Sequence, residues 1–472
     1  MADERFEEHL RFPQGRGHEP RGAHAGVAGG ARCGDVVRVD LRVEGDLVAD
    51  AGFAAEGCGA THAAASAAVE LVRGRPVLDA ARVGTGAISD ALGGLSAGKI
   101  HAAELAADAL ASALGAAVAA DGALAPPASG ERLLVAMSGG VDSAVAALRS
   151  AETGAEIVAV TLELWRDEAN DAEGSCCSAV AVRRARSVAH SMGIPHLTLD
   201  LREAFRVGVV EPWVAAHAAG LTPNPCVRCN GEVRLDAMVA LADRIAAAAL
   251  VTGHYARVGE DGLLRSAVDA DKDQSYMLAA LDQASIARLR FPLGELTKPE
   301  VRELAARAGL PVARQPDSQD LCFLAGTTRE AFLARHGGPA RRPGALVDAD
   351  GRVVGRHDGA HAYTVGQRRG LGGGGGTHTP LYVTATDVEQ NTVTVGPRAS
   401  LRTARVHLRD VRLHRPASEV AQARLRYHAT PVPCTLDGEL LELHEPVWGI
   451  APGQTAVLLE GDRVLGCATI AR

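Results

Sequence analysis

Two groups of residues in this chain have types and spacings suited to chemistry: a serine- and glycine-rich loop and a set of cysteines. The loop runs from Ser138 to Ser143 with the sequence SGGVDS. It follows the apolar run Leu133–Met137 and precedes a helical pattern over Ser143–Glu152, so free backbone N–H groups should face an anion at a helix N-terminus. The Gly-Lys-Ser/Thr ending of a Walker loop is absent, so this motif does not imply γ-phosphate transfer.

The chain has nine cysteines in 472 residues. Cys226 and Cys229 have the two-residue spacing of a metal clip or a redox pair, and a stiff Thr-Pro-Asn-Pro turn precedes them. Cys322 stands alone in the run DSQDLCF, where a buried structural thiol is a common alternative. Because a thiolate is both a metal ligand and a nucleophile, spacing alone leaves metal, redox and nucleophilic roles open.

Several elements must position these residues. Alternating strands and helices follow the loop, with strands at Ile157–Leu164 and His196–Leu199 and a helix at Val180–Met192. This order predicts an α/β, Rossmann-like domain with a parallel sheet. A hairpin over 36–54 and Ala-rich helices predict a small α+β domain before it, and short β-rich runs beyond Pro343 predict a C-terminal β-barrel.

The chain is therefore predicted to be multidomain. The predicted bounds are 1–120 for the scaffold-like α+β domain, 121–131 for a linker, 132–290 for the loop-bearing α/β domain, 291–345 for a small central domain that returns Cys322 to the site, and 346–472 for the barrel.

Composition and charge argue against several classes of function. No uninterrupted apolar run reaches the roughly 18 residues of a membrane span, and the N-terminus lacks a signal-peptide pattern, so we expect a cytoplasmic protein with reduced thiols and no membrane partner. The net charge of −8 argues against general coating of nucleic acid. Residues 341–472 carry 16 Arg against 13 Asp and Glu. This excess of positive charge fits a surface that contacts phosphates, but it fits an ordinary solvated surface equally well.

The SGGVDS loop resembles the pyrophosphate loop of the ATP pyrophosphatases, which place AMP on a substrate oxygen. From Leu133 onward the chain resembles the tRNA-specific 2-thiouridylase family, which thiolates the wobble uridine in the anticodon loop. The resemblance rests on the runs AMSGGVDS, VTLELW, GSCCS, TPNPCVRCN, VTGHYARV, DKDQSYML, FPLGELTKPEVRELA, PDSQDLCF, YTVGQRRGLG and RYHATPVPC, which follow in order along the chain.

This resemblance implies roles residue by residue. It makes Cys229 the nucleophile and Cys322 the persulfide-bearing cysteine. It implies ATP binding, with Mg²⁺ held partly by Asp142, at Ala136, Met137, Ser138, Gly139, Gly140, Val141, Asp142, Ser143, Leu162 and Gly253. It implies tRNA contacts at Asn224, Pro225, Cys226, His254, Lys272, Asp273, Gln274, Arg426, Tyr427 and Gln454.

The chemistry is consistent with those roles, because adenylating the uridine C2 oxygen makes AMP the leaving group for an attacking sulfur. One position departs from some family members, which carry Asp where this chain has Cys226. Three thiols, Cys226, Cys229 and Cys322, suit a [4Fe–4S] cluster with one open iron, and we favour that hypothesis. The alternative is a persulfide on Cys322, resolved by a Cys229–Cys322 disulfide.

Residues 1–120 resemble an iron–sulfur cluster scaffold of the IscU/NifU type. The resemblance rests on FEEHL, RFP, CGD, GCGAT and KIH near the start of the chain, and it implies Fe–S or Zn ligands at Cys33, Asp35, Cys58 and His101. A third cysteine, expected after His101, is replaced by Ala102. A docking domain that recruits a cysteine desulfurase without holding metal is the alternative.

We expect tRNA and a cysteine desulfurase or sulfur-relay protein as partners. Two other function classes compete with a tRNA thiolase. Another adenylating enzyme, such as an amide synthetase, would not need Cys229 or Cys322. A non-catalytic iron–sulfur carrier would not need the SGGVDS loop. Release of AMP that depends on tRNA separates the thiolase from both.

Overall fold

The computed structural model describes residues 2–29, 34–120, 122, 124–167, 178–317, 321–371 and 380–471. Cys33 and Ser318–Asp320 of the DSQDLCF run therefore lie outside the described residues.

The N-terminal domain is a three-stranded antiparallel meander covered by helices. Its elements are α1 (Ala2–Arg11), β1 (His24–Gly29), β2 (Val36–Glu44), β3 (Leu47–Glu56), α2 (Gly59–Val72), α3 (Val77–Ala80), α4 (Thr85–Ala91) and α5 (Ile100–Ala119). The predicted hairpin is β2–β3, which turns at Gly45 with φ +62°. Alternation of apolar and polar residues along β2 turns Val37, Val39 and Leu41 into the core.

Helix α5 has the length and apolar composition of a membrane span, and 72% of its apolar window is buried inside the protein. It packs on β1, β2 and also on a strand of the next domain, β6 (His196–Asp200). Glycine permits this close approach, since a Cβ on Gly26 would lie 2.2 Å from the carbonyl oxygen of Ala109. The helix is thus a core element that joins two domains.

The second domain has a five-stranded parallel sheet in the order β10-β7-β4-β5-β6, which confirms the α/β prediction. Its elements are β4 (Arg132–Ala136), α6 (Val141–Ala151), β5 (Glu156–Glu163), α7 (Ala179–Ser191), β6 (His196–Asp200), α8 (Arg202–Phe205), α9 (Glu211–Ala218), α10 (Pro225–Cys229), α11 (Leu235–Arg244) and β7 (Ala249–Val251). Two π-helical turns, Arg206–Val210 and Asn230–Arg234, flank α9 and α10. Helices cover both sheet faces.

A run of short elements follows and links this sheet to the rest of the chain. These elements are β8 (Arg257–Val258), β9 (Leu264–Arg265), α12 (Ser275–Leu278), α13 (Gln283–Ala287), β10 (Leu289–Arg290), α14 (Lys298–Arg307) and α15 (Arg329–Arg335). Thr297 caps α14 in a capping box with Glu300.

The β-rich stretch beyond Pro343 forms two sheets, where the sequence suggested one barrel over 346–472. The first holds β11 (Gly344–Val347), β12 (Val353–His357), β13 (Tyr382–Asp387) and β14 (Thr392–Gly396). The second holds β15 (Arg402–Leu413), β16 (Gln422–Arg424), β17 (Val432–Asp437), β18 (Leu440–Trp448), β19 (Thr455–Glu460) and β20 (Arg463–Ile470). Pairing of β15 with both β18 and β20 closes these six strands into a barrel.

The N-terminal domain docks firmly on the parallel sheet. A Cβ on Gly115 of α5 would lie 2.1 Å from the carbonyl oxygen of Thr198 in β6. Asp108 of α5 pairs with Arg183 at 2.6 Å and with the buried Arg186. The connecting segment is packed too, because Leu124 is 4% exposed and its N–H donates to the Arg244 carbonyl at 2.8 Å. The predicted linker therefore does not act as a free tether.

Candidate active site

The SGGVDS loop leaves the end of the central strand β4 and enters α6, as the sequence predicts. The Ser143 hydroxyl donates to the Gly140 carbonyl at 3.1 Å and accepts from the Ser138 N–H at 3.1 Å, so the loop holds its own shape. Gly139 has φ +75°, and a Cβ there would lie 2.8 Å from the Ala181 carbonyl oxygen. The loop needs glycine at this position because both its backbone conformation and its close packing exclude a side chain.

The predicted adenosine end lies beside this loop. Met137 continues the sheet by donating its N–H to Val160 of β5 at 2.8 Å, and Leu162 follows two residues later on that strand. Gly253 follows β7 on the other side, where a Cβ would lie 2.9 Å from the Ser143 nitrogen. The carboxyl ends of three neighbouring strands, β5, β4 and β7, thus meet at one edge, where ligands bind in open parallel sheets.

Cys226 and Cys229 lie on the single helical turn α10. The side-chain oxygen of Asn224 caps this turn by accepting from the N–H groups of Cys226 and Val227, at 3.1 and 3.4 Å. Cys229 is 7% exposed and Cys226 is partly exposed. Because residues three apart share one face of a helix, the two thiols lie on neighbouring parts of one surface.

Contacts connect α10 to the phosphate loop. His254, next to Gly253, accepts from or donates to Thr252 at 2.8 Å and lies 3.3 Å from Arg234 in the π-helical turn that follows Cys229. Burial, and then the charge of Arg234, lower the pKa of His254 to about 3. His254 is therefore a neutral polar side chain at ordinary pH, and it lies between the loop and the Cys229 helix.

An aromatic cluster connects the segment around Cys322 to the region of α10. Phe323 is buried, with its ring centroid 5.9 Å from Phe205 and 5.2 Å from Trp213. Phe205 directly precedes the π-helical turn Arg206–Val210, and this turn packs against α10, where Arg228 donates to the Gly208 carbonyl at 2.6 Å. Cys229 is a member of the large core cluster that these aromatic residues share, and the partly buried Cys322 packs against that cluster.

The predicted tRNA-facing triplet at 272–274 occupies more internal positions than the sequence suggested. Asp273 is 4% exposed, and its carboxylate accepts from Ser275 and from Arg424 of the barrel at 2.7 Å. Gln274 accepts from the Tyr255 N–H at 3.0 Å, and Lys272 pairs with Asp317 at 2.8 Å. Burial and saturated hydrogen bonds thus make Asp273 part of the domain junction, and its contact with tRNA stays a prediction.

Two of the three predicted barrel residues, Gln454 and Tyr427, lie where the barrel meets the α/β domain. The side chain of Gln454 donates to the Thr222 carbonyl at 2.5 Å, just before Asn224 and Pro225. The Tyr427 ring lies 5.7 Å from the Tyr276 ring and is tilted by 43° to it. Burial, followed by the neighbouring Asp273 and Cys226, raises the pKa of Tyr427. Arg426 is exposed and donates to the Gly449 carbonyl at 3.1 Å. Tyr427 therefore contributes to the surroundings of Cys226.

Sequence reasoning missed Lys298, Tyr255 and Asp317. Lys298 pairs with Asp142 at 2.7 Å, and the Tyr255 hydroxyl donates to Asp142 at 2.9 Å. All three lie inside sequence runs that carried the family resemblance, FPLGELTKPEVRELA, VTGHYARV and PDSQDLCF. The runs were a signal for these positions, but spacing along the chain could not show that they meet.

The N-terminal domain brings together the three predicted ligands that lie within its described residues, which do not include Cys33. Donor atoms of Asp35, Cys58 and His101 all lie within 4.8 Å of one another. The Thr61 hydroxyl donates to Asp35 and is the main cause that lowers the pKa of this buried carboxyl. Ala102 is fully buried among alanines. Within the described residues, the thiols at 226, 229 and 322 do not form a comparably tight group.

Comparison with known proteins agrees with this architecture. Family models match residues 131–326 (tRNA methyl transferase HUP domain), 3–119 (NifU-like N terminal domain), 330–397 (tRNA methyl transferase PRC-barrel domain) and 401–470 (aminomethyltransferase beta-barrel domain).

Curated relatives extend the likeness to the whole chain. A bifunctional protein NifU/MnmA of Rubrobacter xylanophilus is 44% identical over 98% of this chain and 97% of its own length. A tRNA-specific 2-thiouridylase MnmA of Salinispora tropica is 46% identical over 72% of this chain and 99% of its own length, and one of Chloroflexus aggregans is 43% identical over 72% and 98%.

The parallel sheet with its glycine loop defines an enzyme of the pyrophosphate-loop class that carries a NifU-like domain. The chain belongs to the tRNA-specific 2-thiouridylase family, in the bifunctional form that is fused to a NifU-like domain.

Proposed function

We propose that this chain thiolates the C2 position of the wobble uridine in tRNA, at the expense of ATP. The observation that carries the proposal is the contact path from the loop to the thiol helix. Gly253 packs on Ser143 of the phosphate loop, and the adjacent His254 contacts Arg234, five residues beyond Cys229. An adenylated base held at the loop would then lie on the side of the sheet that also carries the cysteines.

In the proposed reaction the loop from Ala136 to Ser143 binds ATP, which brings Mg²⁺ with it, and the uridine C2 oxygen attacks the α-phosphorus. Pyrophosphate leaves, and the oxygen becomes part of a phosphoryl leaving group. Sulfur then attacks C2, the C–O bond breaks, and AMP departs. Cys229 and Cys322 supply this chemistry, since a thiolate or persulfide is a good nucleophile near neutral pH.

Two sulfur routes fit the three thiols. In the first, Cys322 carries a persulfide and Cys229 forms a disulfide with it when sulfur has been transferred. In the second, Cys226, Cys229 and Cys322 hold a [4Fe–4S] cluster that would supply an additional sulfide. The capped turn that carries Cys226 and Cys229 three residues apart supports the second route. This route requires Cys322 to approach them, because the three thiols do not form a tight group among the described residues. An assay for iron and sulfide after anaerobic purification distinguishes the two routes, because an active protein that contains no iron eliminates the cluster route.

The N-terminal group supports a separate metal-binding proposal. Asp35, Cys58 and His101 offer oxygen, sulfur and nitrogen donors, a set that suits Zn or a labile Fe–S cluster. The lowered pKa of Asp35 keeps this ligand anionic. In the cytoplasm, a cysteine desulfurase or relay protein would deliver sulfur to this site or to the Cys322 thiol.

The test of the proposed function is a reaction with ATP, a sulfur source and unmodified tRNA, followed by mass spectrometry of the nucleosides. We expect 2-thiouridine in the tRNA and AMP that appears only when tRNA is present. AMP formed without tRNA would instead favour a small-molecule adenylating enzyme. Absence of both products would favour a carrier.

A further inference from the structure

Trp448 exposes its indole ring at the end of strand β18. The residue is 46% exposed, whereas Trp165 and Trp213 both pack on Phe332 in the aromatic cluster. The guanidinium carbon of Arg398 lies 5.1 Å from the centre of the Trp448 ring. We propose that Trp448 is a stacking platform for an unpaired base in the tRNA loop that carries the target uridine. The inference deepens the proposed function and rests on it, because it takes tRNA to be the substrate.

Contacts gather four segments of the chain around Trp448 and its neighbour Gly449. Arg402 of β15 is the cross-strand partner of Trp448. The Gly449 carbonyl accepts a hydrogen bond from Arg426 at 3.1 Å. A Cβ on Gly366 would lie 3.3 Å from the Cα of Gly449, so the segment that leads into β13 packs on the same place. The indole therefore lies where the barrel meets the sheet that precedes it.

The four segments that meet at Trp448 are rich in arginine. They span 361–371, 397–406, 424–434 and 446–454, and they contain seven arginines but no Asp or Glu. Two of the arginines, Arg405 and Arg424, pair with carboxylates at 3.3 and 2.7 Å. The other five are exposed and make no ion pair with any described residue: Arg368, Arg369, Arg398, Arg402 and Arg426. One exposed acid, Glu445, lies three residues before Trp448 on β18. The remaining excess of positive charge is complementary to the phosphates of RNA.

A short path of contacts joins this surface to the turn that is expected to contact the target base. The Thr222 hydroxyl donates to the hydroxyl of Thr364, two residues before Gly366, at 3.2 Å. Thr222 also lies two residues before Asn224, which caps the turn that carries Cys226. The platform and this turn therefore belong to one continuous part of the molecular surface, which a single RNA loop can cover.

Stacking accounts for an exposed aromatic ring among arginines. Every base has a flat π face that stacks on an indole ring, and RNA-binding proteins recognise loops whose unpaired bases are splayed out. Arg398 lies over the ring as a cation–π partner, and the exposed part of the ring is left for a base. The neighbouring arginines would bind the phosphates on either side of that base. No covalent bond is made or broken in this contact.

The first test measures binding and turnover of unmodified tRNA by the full chain. In Trp448→Ala we expect the tRNA affinity to fall and the KM for tRNA to rise roughly 5- to 100-fold, as for the loss of one stacked base. The KM for ATP should not change, which shows that the variant is folded. Trp448→Phe keeps an aromatic face and should retain most of the affinity. Equal losses in the two variants would overturn the inference, as would unchanged tRNA affinity in Trp448→Ala.

The arginines are tested by the salt dependence of tRNA binding. Arg402→Gln should reduce the slope of log affinity against log salt by about one phosphate contact. The matched control is Arg409→Gln, which changes an exposed arginine seven residues further along β15 that already pairs with Asp410 at 2.7 Å. The control should leave the slope unchanged. Equal slopes for Arg402→Gln and the unaltered chain would contradict the proposed phosphate contacts.

Tryptophan fluorescence tests the stacking directly, because the chain has three tryptophans and the other two lie in the aromatic cluster. Unmodified tRNA should quench the emission of the unaltered chain, and Trp448→Phe should abolish this quenching. A blunt RNA duplex, which has no unpaired base, should not cause it. Quenching of the same size in Trp448→Phe would overturn the inference. Failure of the unaltered chain to form AMP with tRNA would instead count against the proposed function.

Discussion

The N-terminal ligand group and the site around the phosphate loop differ in how their residues are assembled. Asp35, Cys58 and His101 come from one domain, and the turn before β2, the first turn of α2 and the first turn of α5 bring their donor atoms within 4.8 Å. The loop site draws residues from 138 to 454, and helix contacts, an aromatic cluster and the barrel junction hold them near one another. The first is a compact ligand group, whereas the second depends on docking between domains.

This difference predicts which substitutions should affect each of the two sites. A compact ligand group loses affinity when one donor is lost, but the rest of the fold does not depend on it. A distributed site is affected by changes at its thiols and also at distant interfaces that set the relative positions of its parts. Four substitutions or conditions test this contrast, given from the largest expected effect to the smallest.

The largest contrast is between Cys229→Ala and Cys58→Ala. With sulfur supplied, Cys229→Ala should lower tRNA thiolation by at least ~10³-fold, because it removes the proposed nucleophile. Cys58→Ala should leave the rate unchanged under the same conditions. Nucleoside mass spectrometry measures both. Thiolation by Cys229→Ala at the rate of the unaltered chain would remove that residue from the mechanism.

Asp108→Ala acts where the two regions meet. It leaves the buried Arg186 without its carboxylate partner, so we expect the free energy of unfolding to fall by about 3 kcal/mol. Denaturant unfolding measures this. The matched control removes the exposed ion pair between Arg149 and Glu152 and should cost less than about 1 kcal/mol. Equal effects of the two changes would show that the domain interface is weaker than its geometry indicates.

Acid should destabilise the distributed region through His217, which packs on Trp213 in the aromatic cluster. Burial, the main cause, lowers the pKa of His217 to about 4, below its ordinary value, so unfolding takes up a proton as the pH falls below about 6.5. At pH 5 this proton uptake lowers the free energy of unfolding by about 2 kcal/mol. The unaltered chain should lose more stability between pH 7 and 5 than His217→Gln does, and identical losses would contradict this.

Gln454→Ala should give the smallest effect. It removes one hydrogen bond between the barrel and the Thr222 carbonyl, which is worth about 1 kcal/mol. We expect a small loss of stability together with a higher KM for tRNA, since the Asn224–Cys226 turn loses a neighbour. A changed KM for ATP with an unchanged KM for tRNA would place Gln454 elsewhere in the mechanism.

Sequence reasoning predicted the elements that depend on local pattern. Period-two alternation identified the hairpin formed by β2 and β3. The SGGVDS loop was placed correctly between a strand and a helix, because strand, glycines and helix are adjacent in the chain.

Features that depend on distant contacts could not be predicted. The packed linker follows from burial of Leu124, and the internal position of Asp273 follows from Arg424, 151 residues away. The separate sheet of β11–β14 depends on the parallel pairing of β11 with β14, which turn signals do not specify. Assignment of chemistry to individual residues rested on family resemblance, and the roles of the predicted site residues stay predictions.

The central claim is that ATP activates the C2 oxygen of uridine at this loop before sulfur replaces it. The direct measurement uses tRNA that carries ¹⁸O at the C2 position of its wobble uridine, with ATP and a sulfur source. We predict that the released AMP contains the ¹⁸O label while the tRNA gains sulfur. Thiolated tRNA accompanied by unlabelled AMP would contradict the account.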